Sequence, residues 1–272
     1  MAAYPASNPC PRGANGTSRS APARMSSPRI DSPIAGEFTA SPNHGERRRP
    51  ARPDSIILHY TGMPDGAGAL RQLCNPASEV SAHYFVWEDG RVVQLVAEER
   101  RAWHAGKSFW KGDTDLNSAS IGVEIVNCGH ETLPPYPQTQ IDAVIVLARD
   151  ISQRWSIAPR RVLAHSDIAP GRKRDPGELF PWAKLGQAGI GRWVAPGPPG
   201  EAPMFHHGEK GPSVRALQAM LALYGYGIAL SGVYDHQTRI VVAAFQRHFR
   251  PARVDGEADE STVASLRALL AE

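Results

Sequence analysis

The chain has few cysteines and no long hydrophobic run. Cys10, Cys74 and Cys128 are the only cysteines among 272 residues. Their scattered spacing argues against a disulfide framework and against a cysteine zinc site. No stretch approaches the roughly 20 apolar residues that a membrane helix needs, and residues 1–30 lack the apolar segment of a secretory signal. The sequence therefore predicts no membrane span and indicates no export route.

Excess positive charge is also absent from most of the chain. The formal net charge is +3, but residues 1–53 carry eight arginines against three acidic residues, so the remainder is slightly acidic. A nucleic-acid-binding protein normally carries a basic stripe on its folded surface. We therefore expect no nucleic-acid partner.

Composition divides the chain into four segments. Residues 1–40 are rich in Pro, Ser and Arg without apolar periodicity, which is typical of a disordered tail. A second Pro- and Gly-rich segment, residues 194–205, is typical of a stiff linker. The sequence thus predicts a main domain over residues 41–193 and a small domain over residues 206–272.

Apolar patterning predicts strands mixed with helices in the main domain. A turn at Asp89-Gly90 joins two of the expected strands into a hairpin. A helix is expected over 139–155, where apolar residues recur three and four apart and Thr139 with Asp142 forms a capping box. The strands are expected at residues 55–60, 82–87, 91–96, 120–127 and 161–165. This mixture indicates an α/β domain around a central sheet.

The small domain contains three short helical patterns. Apolar residues spaced three or four apart begin at Val214, Val241 and Val263. Three helices of this length bury little apolar surface alone. The bundle is therefore expected to rest on a ligand or on the main domain.

Two histidines and one aspartate are candidate metal ligands. His59 ends the first predicted strand, His165 ends the last, and Asp175 follows ten residues later on a loop punctuated by Pro and Gly. Two imidazoles and a carboxylate leave the fourth position of a tetrahedral zinc open for water, as in catalytic sites. Each residue alone also has a structural interpretation, as a hydrogen-bonded buried histidine or a turn-forming aspartate.

Glu124 and Lys173 are candidate catalytic groups. Glu124 points away from the apolar face of strand 120–127, and Gly122 beside it leaves room for a substrate backbone. A carboxylate near an activated water is the expected general base in metal-assisted amide hydrolysis. The alternatives are a surface glutamate on an edge strand and a lysine within a solvated Arg-Lys-Arg run.

One apparent protease motif is rejected. His130-Glu131-Thr132-Leu133 begins like the zinc-protease signature, but Pro134 stands where the second histidine would be. Proline also prevents the helix that would align two such ligands.

Five motifs in order resemble the zinc-dependent N-acetylmuramoyl-L-alanine amidases of the amidase type 2 family. They lie at residues 57–61, 81–84, 102–106, 120–125 and 165–177. The resemblance covers residues 40–193 and implies a mixed central β-sheet flanked by helices. Residues 206–272 are similar to the three-helix peptidoglycan-binding module that one subgroup of the family carries.

The resemblance implies a role for each candidate residue. His59, His165 and Asp175 would bind zinc, Glu124 would activate the water, and Lys173 would stabilise the oxyanion. The implied reaction is hydrolysis of the amide between the lactyl group of N-acetylmuramic acid and the L-alanine of the stem peptide.

Other motif residues are expected near the cleft. Phage members of the family carry a catalytic tyrosine just before the histidine that corresponds to His83, where this chain has Ala82, and they lack a glutamate at position 124. The resemblance thus assigns the catalytic burden to Glu124 and Lys173. The residues expected to contact substrate are His83, Trp103, His104 and Gly122.

A second interpretation is a non-catalytic peptidoglycan-binding protein on the same fold. Such relatives typically lose a zinc ligand, and none is lost here. The expected partner is peptidoglycan or a muropeptide, and the chain is expected to be a monomer. The wall-binding module favours the periplasm or cell envelope, whereas the absent signal favours the cytoplasm, where recycling amidases of the family act on anhydro-muropeptides.

Overall fold

A six-stranded mixed sheet forms the centre of the protein. The structure, a computed structural model, describes residues 30–48 and 52–271. The strands are β1 (Glu37–Phe38), β2 (His44–Glu46), β3 (Ser55–Tyr60), β4 (Tyr84–Val86), β5 (Val92–Gln94), β6 (Arg100–Ala102), β7 (Ser120–Ile125) and β8 (Val162–Ala164). The sheet order is β1-β5-β4-β7-β3-β8, while β2 and β6 form a separate antiparallel pair. Only β4 and β5 are antiparallel within the large sheet. The predicted mixed sheet is confirmed.

The parallel register brings the carboxyl ends of three strands together. His59 on β3 pairs in register with Glu124 on the neighbouring strand β7. On its other side, β3 aligns Leu58 with Ala164, the last residue of β8, so His165 follows directly beside His59. Parallel strands end at the same edge of a sheet, which is where ligands bind in open α/β folds.

The two faces of β7 have different neighbours. Ile121, Val123 and Ile125 are buried in an apolar cluster with helix α3 (Gln138–Trp155). Since side chains alternate along a strand, Glu124 lies on the opposite face. The predicted alternation is confirmed, and β7 is a central strand rather than an edge strand.

The predicted long helix is confirmed, but its predicted capping box is wrong. Helix α3 begins after Pro137 with no side-chain cap. The Thr139 hydroxyl instead donates to the Glu88 carbonyl at 3.2 Å, and Asp142 accepts from Gln138. A contact with the hairpin therefore replaces the predicted capping box.

Residues 30–48 belong to the fold, which corrects the tail expected through residue 40. β1 pairs with β5, and Ala35 is buried in the apolar cluster beneath α3. The Ser32 hydroxyl donates to Asp150 of α3 at 2.7 Å. A two-residue strand held mainly by long-range hydrogen bonds leaves no periodic pattern in the sequence. Residues 1–29 of the expected tail lie outside the described residues.

Several short helices were not predicted. They are α1 (Gly66–Cys74), α2 (Leu116–Ala119), α4 (His165–Ile168) and α5 (Trp182–Gln187). Asp65 caps α1 by accepting from the backbone N–H of Gly68 at 2.6 Å. Helix α4 makes His165 the first residue of a helical turn rather than the last residue of a strand.

Three helices follow the linker, as the periodicity indicated. They are α6 (Pro212–Tyr224), α7 (His236–Phe249) and α8 (Glu260–Ala271). Their apolar residues share one cluster with Ile57, Leu163 and Ile168 of the main domain, so the bundle rests on the sheet. The predicted domain boundaries stay a prediction. Among the described residues, no helix combines the length and apolar character of a membrane span.

Candidate metal centre and active site

Three buried side chains converge at the carboxyl edge of the sheet. His59 Nδ1 lies 2.9 Å from His165 Nδ1 and 3.0 Å from Asp175 Oδ2, and the last two atoms are 2.8 Å apart. All three residues are at most 5% exposed. Within the described ranges, these are the three His, Cys, Asp or Glu side chains whose ligand atoms lie close enough together to hold a metal ion. The structure therefore brings together the three residues predicted as ligands.

The outer nitrogen of His165 indicates which ring nitrogen carries the proton. Nε2 lies 3.1 Å from the Ala105 carbonyl, which can only accept a hydrogen bond. A proton on Nε2 leaves the lone pair of Nδ1 facing His59 and Asp175. Such a bond from the outer nitrogen is the usual support of a metal-binding histidine.

A chain of side chains fixes His59 in the same way. The Ser120 hydroxyl donates to the Leu116 carbonyl, so its oxygen accepts from His104 Nε2 at 3.3 Å. The unprotonated Nδ1 of His104 then accepts from His59 Nε2 at 3.0 Å. The lone pair of His59 Nδ1 is left for a metal. We name Ser120, His104 and His59 the imidazole relay.

The charge states of His59 and Asp175 fit a zinc ion. Burial, and then the neighbouring His165, lowers the pKa of His59 to about 4, so this imidazole is neutral at pH 7. Burial alone would raise the pKa of the Asp175 carboxyl, but His165 and His59 hold it below its usual range. Two imidazoles and a carboxylate whose donor atoms face one point are a donor set that zinc prefers.

Glu124 is half-buried, and one of its two carboxylate oxygens is enclosed by the protein. Its Oε2 is buried and has no hydrogen-bond partner among the described residues. Burial raises the pKa of Glu124 well above its usual value, Asp175 adds to the rise, and Lys173 opposes it. A central-strand position rules out the edge-strand alternative. A carboxyl group of raised pKa in a cleft is typical of an acid–base residue.

The cleft above these residues has a volume of about 330 Å³. Its polar side holds Glu124, His165, Lys173 and Asp175, and Trp103 and His104 also line it. The apolar side is formed by Met63, Ala69, Leu73 and Val80. Sequence reasoning missed this apolar wall because it did not identify α1, although Asp65 and the spacing of Ala69 and Leu73 were available signals.

The structure corrects two of the residues expected to contact substrate. His83 is fully buried, accepts from the Gly122 N–H at 2.9 Å and faces the Arg100 carbonyl at 3.0 Å, so it supports the sheet outside the cleft. A Cβ on Gly122 would lie 2.4 Å from Cγ of His104. Glycine at 122 therefore makes room for the relay histidine and not for a substrate backbone.

Fold and site together define a metal-dependent hydrolase with a helical C-terminal region. The family model for N-acetylmuramoyl-L-alanine amidase matches residues 49–178, and the model for a peptidoglycan binding domain matches residues 210–266. The chain is 40% identical over 232 residues to N-acetylmuramoyl-L-alanine amidase AmiD of Escherichia coli K12, spanning 79% of this chain and 81% of the relative.

The chain belongs to the N-acetylmuramoyl-L-alanine amidase family of amidase type 2. It is similar in structure to E. coli AmiD in complex with anhydro-N-acetylmuramic acid-L-Ala-D-gamma-Glu-L-Lys, with a TM-score of 0.69 and 39% identity over 83% of this chain and 92% of that one. AmpDh3 of Pseudomonas aeruginosa gives a TM-score of 0.66 at 37% identity, over 80% and 91%. The predicted family, amidase activity and zinc dependence are confirmed.

Proposed function

We propose that this amidase cleaves the bond between N-acetylmuramic acid and L-alanine with zinc held by His59, His165 and Asp175. The observation that carries the proposal is the meeting of their three donor atoms within 3.0 Å at the floor of a cleft. Glu124, with its unpaired buried oxygen, and Lys173 line the same cleft.

The side chains around the metal position divide the chemistry between them. Zinc in this position supplies Lewis-acid activation of water and of the scissile carbonyl. Glu124 takes a proton from the attacking water as the new C–O bond forms, and it returns this proton to the leaving amine of L-alanine when the C–N bond breaks. Lys173 faces the negative charge that develops on the carbonyl oxygen.

Both walls of the cleft suit a muropeptide. The apolar lining residues, among them Met63 and Leu73, can cover the lactyl and alanyl methyl groups, while the polar lining residues can face the peptide chain. The related AmiD and AmpDh3 structures hold an anhydromuramoyl tripeptide and an anhydromuramic pentapeptide. We propose the same class of substrate for this protein, with Trp103 in contact with it.

The match over residues 210–266 supports a second contact with the wall. We propose that this region binds intact peptidoglycan and that the enzyme acts as a monomer in the periplasm or cell envelope. Cytoplasmic recycling of soluble muropeptides is the alternative. Fractionation of cells that express the chain from Met1, with sequencing of the mature N-terminus, separates the two.

The enzymatic proposal is tested by incubating the zinc-loaded protein with anhydromuramoyl peptides and measuring free stem peptide by mass spectrometry. We expect release that stops on chelation and returns with added zinc. Asp175→Ala should abolish release while binding to insoluble peptidoglycan persists. A wild-type protein that contains zinc, binds peptidoglycan and frees no peptide would instead support the non-catalytic binding protein.

A further inference from the structure

Asp167 is a buried carboxylate two residues beyond the proposed ligand His165. It lies within α4 and is 1% exposed. Its Oδ2 accepts from the backbone N–H of Ala164 at 2.9 Å, which closes the turn that presents His165. The Ser166 N–H donates to the Asp175 carbonyl at 3.0 Å, so the same turn is tied to a second proposed ligand.

The other two partners of this carboxylate come from the C-terminal region. The Tyr226 hydroxyl donates to Asp167 Oδ1 at 2.7 Å, and His248 Nδ1 on α7 lies 2.7 Å from Oδ2. Both Tyr226 and His248 are 1% exposed. Hydrogen bonds to a charged, buried acceptor are among the stronger ones in proteins.

Packing holds the His248 ring in place against this carboxylate. The ring stacks on Trp182 of α5 at 3.7 Å and on Phe249 at 3.8 Å between centroids. Its position is therefore set by groups on both sides of the linker, and the Nδ1 hydrogen is aimed at Asp167.

A separate contact joins α7 to the loop that carries Lys173 and Asp175. Gly171 has a φ of +75°, and a Cβ there would lie 2.7 Å from Cδ1 of Ile240. The loop thus lies directly on α7, and a side chain at position 171 would force the Ile240 side chain to move.

From these contacts we propose that the C-terminal region is a positioning element of the metal centre, acting through Tyr226, His248 and Asp167. The region matched as a peptidoglycan binding domain then has a second role that does not require the wall. It holds the α4 turn, and with it His165 and Asp175, in the geometry that binds zinc. The proposal rests on the zinc ligands assigned above.

The test compares two tyrosines that each lose one buried hydroxyl. Tyr226→Phe removes the bond to Asp167, whereas Tyr234→Phe removes a 2.7 Å bond to the Gly256 carbonyl inside the C-terminal region. Zinc dissociation constants are measured by competition with a chromophoric chelator on the full-length protein. We expect Tyr226→Phe to weaken zinc binding roughly tenfold, the low end of the range for groups that orient metal ligands, and Tyr234→Phe to change it less than about twofold.

A second pair isolates the His248 donor. His248→Leu removes it, while His248→Asn places an amide N–H where Nδ1 stood, and both lose the same ring stacking. We expect zinc binding to be weakened by His248→Leu and largely restored in His248→Asn. This pair also decides the question if Tyr226→Phe fails to fold.

Hydrogen exchange supplies a readout that is independent of activity. Coupling between two sites is reciprocal, so zinc should slow amide exchange in α7 of the wild type and less so in Tyr226→Phe. Equal zinc affinity in wild type and all four variants, or an equal loss in Tyr226→Phe and Tyr234→Phe, would overturn the proposal. A wild type that binds no zinc would instead refute the ligand assignment itself.

Discussion

The two histidines of the candidate metal centre are supported in different ways. His59 is held by side chains of the main domain, through His104 and Ser120. His165 is held by a backbone carbonyl and by a turn whose carboxylate is bound from the C-terminal region. The support of His59 can thus be altered by single substitutions beside it, whereas the support of His165 depends on how the C-terminal region packs on the main domain. Equivalent ligands can therefore have unequal sensitivity to mutation.

The largest effect is expected from removing either of the two histidines proposed as zinc ligands. His59→Ala and His165→Ala each leave two donors at the centre, so both should lose tight zinc binding and about a thousandfold or more in kcat/KM. Zinc content by atomic absorption and stem-peptide release measure the two losses. Near-normal turnover in one of these variants would show that the substituted histidine is not a zinc ligand.

Breaking the imidazole relay should affect only the His59 side. In His104→Phe the His59 Nε2–H loses its acceptor, and we expect zinc affinity to fall by about 10- to 100-fold. Trp103→Phe is the matched control, because Trp103 lines the same cleft and lies outside the imidazole relay. It should alter KM and leave zinc affinity unchanged. Unchanged zinc affinity in His104→Phe would show that the relay does not orient His59.

Ser120→Ala should give a smaller effect on the same side. The His104 ring remains, but the oxygen that selects its tautomer is gone. A weakening of zinc binding by roughly threefold to tenfold is expected, below that of His104→Phe. A larger loss in Ser120→Ala than in His104→Phe would contradict the order of the relay.

The smallest expected effect is the contribution of His83 to the pH dependence of stability. Burial, and then Arg47, holds the pKa of His83 well below its usual value. Protonation of His83 therefore favours the unfolded state. The stability that the folded protein gains from neutral His83 is complete above a pH of about 6.5 and is lost as the pH falls further. One such group adds at most about 1.4 kcal/mol per pH unit to the slope of unfolding free energy.

Urea unfolding of the zinc-free protein between pH 7.5 and 5 measures this slope. His83→Asn keeps an acceptor for the Gly122 N–H but does not titrate in this range, so its stability should depend less steeply on pH. Equal slopes in the two proteins would show that His83 is not held neutral in the folded state.

Local patterns predicted much of the fold but not the surroundings of each residue. The alternation along 120–125 placed Glu124 opposite an apolar face, yet only the pairing with β3 and β4 shows that its strand is central. Strand order is set by contacts distant in sequence, and periodicity does not encode it.

The same limit explains the errors at the site. His83 and His104 both lie in motifs, but only packing shows that His83 is buried against the Gly122 backbone and that His104 contacts the proposed ligand His59. Gly122 was interpreted as space for substrate because its neighbour, the His104 ring, comes from a distant segment. The set of His59, His165 and Asp175 was predictable because the order of motifs identified all three together.

Anomalous diffraction at the zinc edge from crystals of the zinc-loaded protein tests the central claim most directly. We expect one peak about 2.0–2.2 Å from His59 Nδ1, His165 Nδ1 and an Asp175 carboxylate oxygen, with the fourth position facing the cleft beside Glu124. A peak at other residues, or coordination through Nε2 of either histidine, would contradict the ligand set and the assignment of both imidazole protons to Nε2.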